Sequence, residues 1–134
     1  VWQTVTHIEE PFELVRMLGF RRVSGETWVK SEPKEDEPTE DDHIIGMGQY
    51  RRQVAEFVLI ATRGKAYVPP PSERLDSVFY APRGKMGHSA KPDLFYTRLE
   101  KASLGPRVDI FARTKRQGWW TWGNELGPDL QAPL

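Results

Sequence analysis

An almost continuous apolar run, Phe57 to Ala61, is the feature that most constrains the fold of this 134-residue chain. Consecutive apolar residues that end at a glycine, here Gly64, are typical of a buried β-strand, and we predict a strand over residues 56–62. The run is far too short to span a bilayer, and no signal-peptide pattern opens the chain, so we expect no membrane association.

Helical and strand-like patterns alternate along the rest of the chain. Apolar residues recur at helical spacing in residues 8–18, which end at Gly19, and again in residues 92–102. Strand-like patterns occupy residues 1–5, 20–30, 78–81, 108–112 and 119–122. This alternation predicts an α/β fold built as a single domain over residues 1–134. Because the first residues are strand-like and apolar, we expect the fold to be incomplete at its N-terminus.

The composition excludes several kinds of chemistry. The chain contains no cysteine, which excludes disulfides, a thiolate nucleophile and a cysteine-based zinc site. Its three histidines lack metal-ligand spacing, so we expect no metal. A cysteine-free chain fits a reducing compartment, and we predict a cytoplasmic location.

The charges are distributed unevenly along a chain whose formal net charge is zero. Residues 31–42 carry seven carboxylates against one lysine, a net charge of −6 that the remainder must balance. We predict an acidic mobile loop over residues 31–45, because this segment has too little apolar surface to fold. A surface linker is the favoured interpretation, and an arm that competes with nucleic acid is the alternative. Residues 126–134 are predicted to form a C-terminal tail.

Few motifs carry chemistry by themselves. Gly46-Met47-Gly48 lacks the context of a phosphate-binding loop and indicates a turn. Glu56 and His88 could act as a base and an acid, but nothing in the sequence places them together. Lys91 is more informative, because it lies where a helix begins and an anion is favoured, although an ordinary helix cap explains it equally well. Arg113 lies at the carboxyl end of a predicted strand, where open α/β sheets bind ligands.

A set of short motifs occurs in a defined order. It comprises Trp2, Leu18-Gly19-Phe20, Trp28-Val29-Lys30, Gly46-Met47-Gly48-Gln49-Tyr50, Glu56-Phe57-Val58-Leu59, Arg63-Gly64, Ser89-Ala90-Lys91-Pro92, Ile110-Phe111-Ala112-Arg113, and Gly118-Trp119 through Gly123-Asn124-Glu125. Together these motifs resemble the MT-A70 family of adenine N(6)-methyltransferases. The resemblance extends from Trp2 to Glu125.

The resemblance implies a Rossmann-like methyltransferase sheet, S-adenosylmethionine as the cofactor, and nucleic acid as a partner. It implies that Lys91 pairs with the methionine carboxylate of the cofactor and that further side chains line the cofactor. The implied cofactor-binding residues are Ser89, Lys91, Phe111, Arg113, Asn124 and Glu125. The implied substrate-binding residues are Tyr50, Arg51 and Arg52, which could contact phosphate or stack on a base.

The chain also departs from the family pattern. The family reaction depends on an Asp-Pro-Pro-Trp motif, which these residues do not contain, so no catalytic residue is assigned. Pro69-Pro70-Pro71 is no substitute, because Val68 precedes it and Ser72 follows it. Ala90 and Lys115-Arg116 replace polar or basic residues that other members carry.

The function expected from the resemblance is methylation of the exocyclic amino group of adenine, with DNA favoured over RNA because the chain is compact. As a piece without the Asp-Pro-Pro-Trp motif, the chain alone could be inactive, and the intact protein could form a homo- or hetero-oligomer. The alternative is a non-catalytic paralogue that binds nucleic acid or a catalytic partner. A third interpretation is an α/β domain that shares only the fold.

Overall fold

The computed structural model describes residues 1–32, 43–83 and 90–133. Most of the predicted acidic loop, the predicted cofactor ligand Ser89, and His88 lie outside these residues. The chain divides into two compact units, Val1–Arg83 and Gly84–Leu134, and each is described by itself. No helix of the described residues has the length and apolar character that a membrane crossing requires.

The first unit is a four-stranded sheet with one helix. Its elements are β1 (Trp2–Gln3), α1 (Glu10–Met17), β2 (Arg21–Lys30), β3 (Ala55–Thr62) and β4 (Val78–Ala81). The strand order is β1-β3-β2-β4, in which β3 is antiparallel to both β1 and β2, and β4 is parallel to β2. The predicted apolar strand therefore lies inside the sheet, between two other strands, as its sequence indicates.

The core of the first unit is built around Trp28, which is only 1% exposed. Its indole Nε1 donates a hydrogen bond of 2.8 Å to the carbonyl oxygen of Ala81, which ties β2 to β4. The ring of Trp2 packs edge-on against it at 5.8 Å between centroids. Beside this pair, Lys30 Nζ lies 2.9 Å from Glu56 Oε1 in a nearly buried ion pair. The indole of Trp28 and the Lys30–Glu56 pair thus have polar partners, whereas the buried Ser31 Oγ has no hydrogen-bond partner within the described part of the chain.

The second unit is a three-stranded sheet with a helix on one face. Its elements are α2 (Asp93–Ala102), β5 (Arg107–Ile110), β6 (Trp119–Gly123) and β7 (Gly127–Gln131). The order is β5-β6-β7, with β5 parallel and β7 antiparallel to β6. Trp119 and Thr121 are buried, whereas the alternate residue Trp120 is 41% exposed, so β6 has one covered face and one open face. Trp119 packs edge-on against Tyr96 of α2 at 5.5 Å.

The elements match the sequence patterns with informative exceptions. A mixed α/β architecture is confirmed, and the strand-like pattern of residues 20–30 forms one long strand, Arg21–Lys30. Pro92 is the N-cap of α2 instead of its first helical residue. The segment predicted as a C-terminal tail contains β7, because residues 127–131 pair with β6. The extent of one domain over residues 1–134 stays a prediction.

Candidate functional site

The segment between β5 and β6 begins with an unusual residue. Phe111 has a backbone φ of 69°, in the left-handed region, although it is an aromatic residue and 78% exposed. Such a conformation costs roughly 1–3 kcal/mol and persists where the surroundings enforce it. It also ends β5 at Ile110, two residues earlier than the apolar pattern predicts. The Phe111 ring lies 5.6 Å from the Trp122 ring between centroids, so an aromatic surface stands at the end of these parallel strands.

A charged pair lies at the same edge of the sheet. Arg113 Nε is 3.5 Å from Glu125 Oε1, and the two side chains are 38% and 52% exposed. Asn124 precedes Glu125 and is exposed. Because β5 and β6 are parallel, their carboxyl ends lie at one edge, which is the usual ligand position in open α/β sheets. The structure therefore brings Arg113 and Glu125 into contact, as an ion pair that is accessible to a ligand.

Gly123 is the residue that permits this close approach. A Cβ atom built on Gly123 would lie 2.0 Å from the carbonyl oxygen of Ala112. The Ala112 amide in turn donates a hydrogen bond of 2.9 Å to the carbonyl oxygen of Trp122. Only a residue without a side chain lets the two backbones pass at this distance. The positions of Phe111 and Arg113, on either side of Ala112, therefore depend on Gly123.

Four residues, which we call the Tyr96 cluster, tie this edge to the start of α2. They are Asp93, Tyr96, Asp109 and Arg116. Arg116 Nη2 donates a hydrogen bond of 2.7 Å to Asp93 Oδ1, and its guanidinium carbon lies 3.7 Å from the centre of the Tyr96 ring. The Tyr96 hydroxyl donates a hydrogen bond of 2.9 Å to Asp109 Oδ2 in β5. The cluster therefore joins α2, β5 and the segment that carries Arg113.

Burial sets the protonation of this cluster. Desolvation raises the pKa of the Asp109 carboxyl above its ordinary value, against the opposing effects of the Tyr96 hydrogen bond and of Arg116. Desolvation and then the Asp109 charge raise the pKa of the Tyr96 phenol. The phenol consequently stays a hydrogen-bond donor at neutral pH.

Sequence reasoning missed Tyr96 and Asp109, and it noted Arg116 only as a departure from the family. A tyrosine on the helical face between Phe95 and Leu99 was the available signal, since a buried tyrosine hydroxyl needs a partner.

Lys91 is half-buried and lies two residues before Asp93, the first residue of α2. The ion pair between Arg116 and Asp93 thus connects the segment after β5 to the start of α2. Lys91 lies just before this helix start. An open polar groove lies beside this helix start. Its lining residues are Asp93, Glu100, Arg107, Thr114, Lys115, Arg116 and Gln117. None of the predicted cofactor residues that the structure describes lines this groove, and only Asp93 and Arg116 of the Tyr96 cluster do.

The predicted substrate residues lie on a loop of the first unit. Tyr50, Arg51 and Arg52 are all exposed, Tyr50 by 88%. A Cβ atom built on Gly46 would lie 2.1 Å from the carbonyl oxygen of Gln53, and one on Gly48 would lie 1.9 Å from that of Arg51. The turn predicted at the two glycines is displaced: the chain bends at residues 49–51, and the glycines allow its two sides to approach closely. The three predicted substrate side chains are presented to solvent at and beside this bend.

From the sequence, Glu56 could act as a general base. The structure does not support this role. Glu56 is buried in the first unit, where Lys30 neutralises it at 2.9 Å, so its role is structural. No group of histidine, aspartate and glutamate in residues 1–32, 43–83 and 90–133 could hold a metal ion.

Comparison with known proteins assigns the chain to a family. The MT-A70 family model matches residues 1–125. The chain belongs to the MT-A70 family. This match confirms the family resemblance of the motifs. It includes residues of both units of the MT-A70 chain.

Three curated relatives of the MT-A70 chain have informative names. The N6-methyladenosine RNA methyltransferase MTA1 of Cryphonectria parasitica is 30% identical over 125 residues, which cover 87% of this chain and 32% of that protein. The protein of the same name from Pyricularia oryzae is 32% identical over 81% of this chain and 27% of its own length. The type II methyltransferase M.MunI from Mycoplasma sp is 30% identical over 66% of this chain and 37% of its own length. The chain thus spans about a third of the length of these relatives.

The side chains at the β5 and β6 ends fit the cofactor that the family implies. S-adenosylmethionine offers a flat base, a ribose diol and an amino-acid carboxylate. An exposed aromatic ring suits the base, a carboxylate accepts hydrogen bonds from the diol, and cationic or amide groups donate to its acceptors. Phe111, Glu125, Arg113 and Asn124 supply these groups at one edge of the sheet, and Lys91 adds a cation at a helix start.

Proposed function

We propose that this MT-A70 chain forms the S-adenosylmethionine-binding part of an adenine N(6)-methyltransferase that acts on nucleic acid. The main support for this proposal is the family match over residues 1–125. The accessible Arg113–Glu125 pair beside a strained, exposed Phe111 supports it as well. The proposal includes a Rossmann-like sheet and an Asp-Pro-Pro-Trp motif supplied by sequence outside these 134 residues. Without that motif the chain alone is expected to be inactive.

Each proposed ligand has a distinct role. Phe111 stacks against the adenine of the cofactor, Glu125 accepts from the ribose hydroxyls, and Lys91 pairs with the methionine carboxylate. Arg113 orients Glu125 through their 3.5 Å ion pair and donates to the cofactor, as does Asn124. The bound cofactor supplies an electrophilic methyl group. The protein contributes orientation, since direct transfer requires the acceptor nitrogen in line with that methyl group.

The proposed substrate is adenine in nucleic acid. Arg51 and Arg52 are exposed cations that suit phosphate contacts, and the exposed Tyr50 ring suits stacking on an unpaired base. Two of the relatives above are RNA methyltransferases by name. The preference for DNA stays a prediction and is tested below.

Isothermal titration of the chain with S-adenosylmethionine tests the cofactor site. Arg113→Ala and Asn124→Ala should each weaken binding by about 1–3 kcal/mol, because each removes a hydrogen-bond donor to the polar groups of the cofactor. Arg74→Ala, which removes an exposed arginine of the first unit, is the matched control and should bind like the wild type. Equal affinities in all four proteins would show that the cofactor binds elsewhere. No binding by the folded chain would favour a likeness in fold alone.

Methyl transfer by the full-length protein tests the activity. The labelled methyl group of S-adenosylmethionine is followed into single-stranded DNA, duplex DNA and RNA of one sequence. Transfer to the adenine N6 of DNA supports the enzyme and its DNA preference, and transfer only to RNA reverses that preference. Cofactor or nucleic-acid binding without any transfer supports the non-catalytic paralogue.

A further inference from the structure

One end of the four-stranded sheet carries an unusual concentration of positive charge. Residues 14–25 and 57–72 contain five cations and no aspartate or glutamate. These cations, which we call the cationic end, are Arg16, Arg21, Arg22, Arg63 and Lys65. None of them belongs to the predicted substrate or cofactor residues.

The fold brings these cations together from three elements. Arg21 at the start of β2 is paired in register with Thr62, the last residue of β3, so that Arg63 follows immediately. Arg63 Nη1 donates a hydrogen bond of 3.1 Å to the carbonyl oxygen of Leu18. The Gly19 amide donates a hydrogen bond of 3.0 Å to the carbonyl oxygen of Arg16 in the last turn of α1. The end of α1, the start of β2 and the end of β3 therefore meet at one place.

The cations of the cationic end are accessible and have no carboxylate partner among the described residues. All five residues are exposed, and none forms an ion pair with a carboxylate of the described residues. The negative end of the α1 dipole favours the positive charge of Arg16 in the last turn of the helix. It does not explain the other four cations. Like charges held close together oppose folding, which makes such a cluster costly unless a polyanion neutralises it.

Two of the guanidinium groups are also held in place. The Arg22 guanidinium lies 5.5 Å from the centre of the Phe12 ring, and that of Arg63 lies 4.9 Å from the Phe20 ring. Stacking on a ring orients the planar group and lowers the entropy lost when it binds. Four of the five cations are arginines, whose forked donors match the oxygens of a phosphate better than a lysine does.

We propose that the cationic end binds the phosphodiester backbone of nucleic acid and forms a docking surface separate from the Tyr50–Arg52 loop. This inference rests on the proposed function for its choice of polyanion. Contacts with phosphates hold a duplex or strand in position without reading its sequence. The surface therefore contributes affinity and salt dependence rather than choice of the target site.

Two double variants with equal charge changes test the proposal. Arg16→Gln/Arg21→Gln removes two cations of the cationic end, and neither side chain has a hydrogen bond or ring contact that its loss would break. The matched control, Arg74→Gln/Lys101→Gln, removes two exposed cations elsewhere. Binding to fluorescein-labelled duplex DNA, single-stranded DNA and RNA is measured by anisotropy over a series of salt concentrations. Circular dichroism and thermal unfolding verify that both variants are folded.

In the first variant the negative slope of log K against log salt for duplex DNA should decrease in magnitude by up to about 1.8, because each lost phosphate contact removes about 0.9. The control should retain nearly the wild-type slope. Equal effects of the two variants would show that only net charge matters, and this would overturn the proposal. Equal displacement of the DNA by polyglutamate or by vesicles of anionic lipid would overturn the assignment to nucleic acid.

Failure of this inference can be distinguished from failure of the proposed function. Arg16→Gln/Arg21→Gln should bind S-adenosylmethionine like the wild type, because both residues lie in the first unit and none of the proposed cofactor ligands does. A wild type that binds nucleic acid through the cationic end but never binds the cofactor would remove the proposed function alone. A wild type that binds the cofactor, with both double variants equal in anisotropy, would remove this inference alone.

Discussion

Single residues at the β5 end show where sequence reasoning stops. The motif Ile110-Phe111-Ala112-Arg113 places an aromatic residue and a cation near a strand end, and the structure agrees. The pattern could not show that Phe111 leaves the extended conformation, because hydrophobic periodicity carries no information on φ. Nor could it show the hydrogen bond between Tyr96 and Asp109, since that bond depends on how a helix packs on a strand.

Phe111→Gly should separate function from stability. Glycine adopts a φ of 69° without strain, and Phe111 is 78% exposed, so little packing is lost. The free energy of unfolding should stay equal or rise by up to about 1 kcal/mol, whereas the affinity for S-adenosylmethionine should fall. Urea unfolding and titration calorimetry measure the two effects. Phe111→Ala, which loses the ring but keeps the strain, should weaken binding without any gain in stability. Retained affinity in both variants would remove Phe111 from the cofactor site.

Asp109→Asn should change the pH dependence of stability. The pKa of Asp109 is raised in the folded chain, so the folded state holds this proton more tightly than the unfolded state. The resulting stability is present below the ordinary pKa of 3.8 and is lost as the pH rises through the folded value. The free energy of unfolding of the wild type should therefore fall relative to Asp109→Asn as the pH rises, since asparagine still accepts the Tyr96 hydrogen bond.

Urea unfolding between about pH 4 and pH 7 measures this difference. The exposed carboxylate of Asp129 supplies the control, and Asp129→Asn should show no comparable divergence from the wild type. Parallel pH profiles of the wild type and Asp109→Asn would contradict the burial of this charge.

The elements themselves were largely predictable, whereas their pairing was not. The run Phe57 to Ala61 predicts β3 to within one residue, because five adjacent apolar side chains suit a central strand. The strand β7 was missed, since Gly127-Pro128 is typical of a turn and only the pairing with β6 makes this segment a strand. The parallel pairing of β2 with β4 likewise joins segments that are far apart in sequence.

Gly123→Ala tests how β6 supports the site. The added methyl group would overlap the carbonyl oxygen of Ala112, so one backbone must move. We expect a loss of about 3 kcal/mol in the free energy of unfolding and weaker cofactor binding, because Phe111 and Arg113 move with Ala112. Gly118→Ala is the control, since it meets only the cost of a left-handed φ and no atom within 4 Å. A smaller loss in Gly123→Ala than in the control would contradict the close approach.

At the scale of the whole molecule, charge rather than packing distinguishes the parts of this chain. A net charge of zero hides an acidic segment of −6 and a cationic end without any carboxylate. The sequence reveals that imbalance but not that Arg16, Arg21 and Arg63 converge, because convergence follows from the register of β2 and β3. The family was predictable from the order of the motifs, and the comparison confirms it.

The exposed arginines of the Tyr50–Arg52 loop should add to the salt dependence of nucleic-acid binding. Arg51→Gln/Arg52→Gln should decrease the magnitude of the negative slope of log K against log salt by up to about 1.8 for duplex DNA. In a variant that combines these changes with Arg16→Gln/Arg21→Gln, the two reductions in slope should add. The two pairs of arginines lie on different segments of the first unit. Anisotropy over a salt series measures this. An unchanged slope in Arg51→Gln/Arg52→Gln would remove the loop from the interface.

The burial of Trp28 gives the first unit an optical reporter. Trp28 is 1% exposed in the first unit, while Trp120 on the open face of β6 is 41% exposed in the second. A collisional quencher such as acrylamide should therefore dim the emission of Trp120 and leave that of Trp28 nearly intact. Unfolding of the first unit would make Trp28 quenchable as well, so the quenchable share of the emission would report on the opening of that unit.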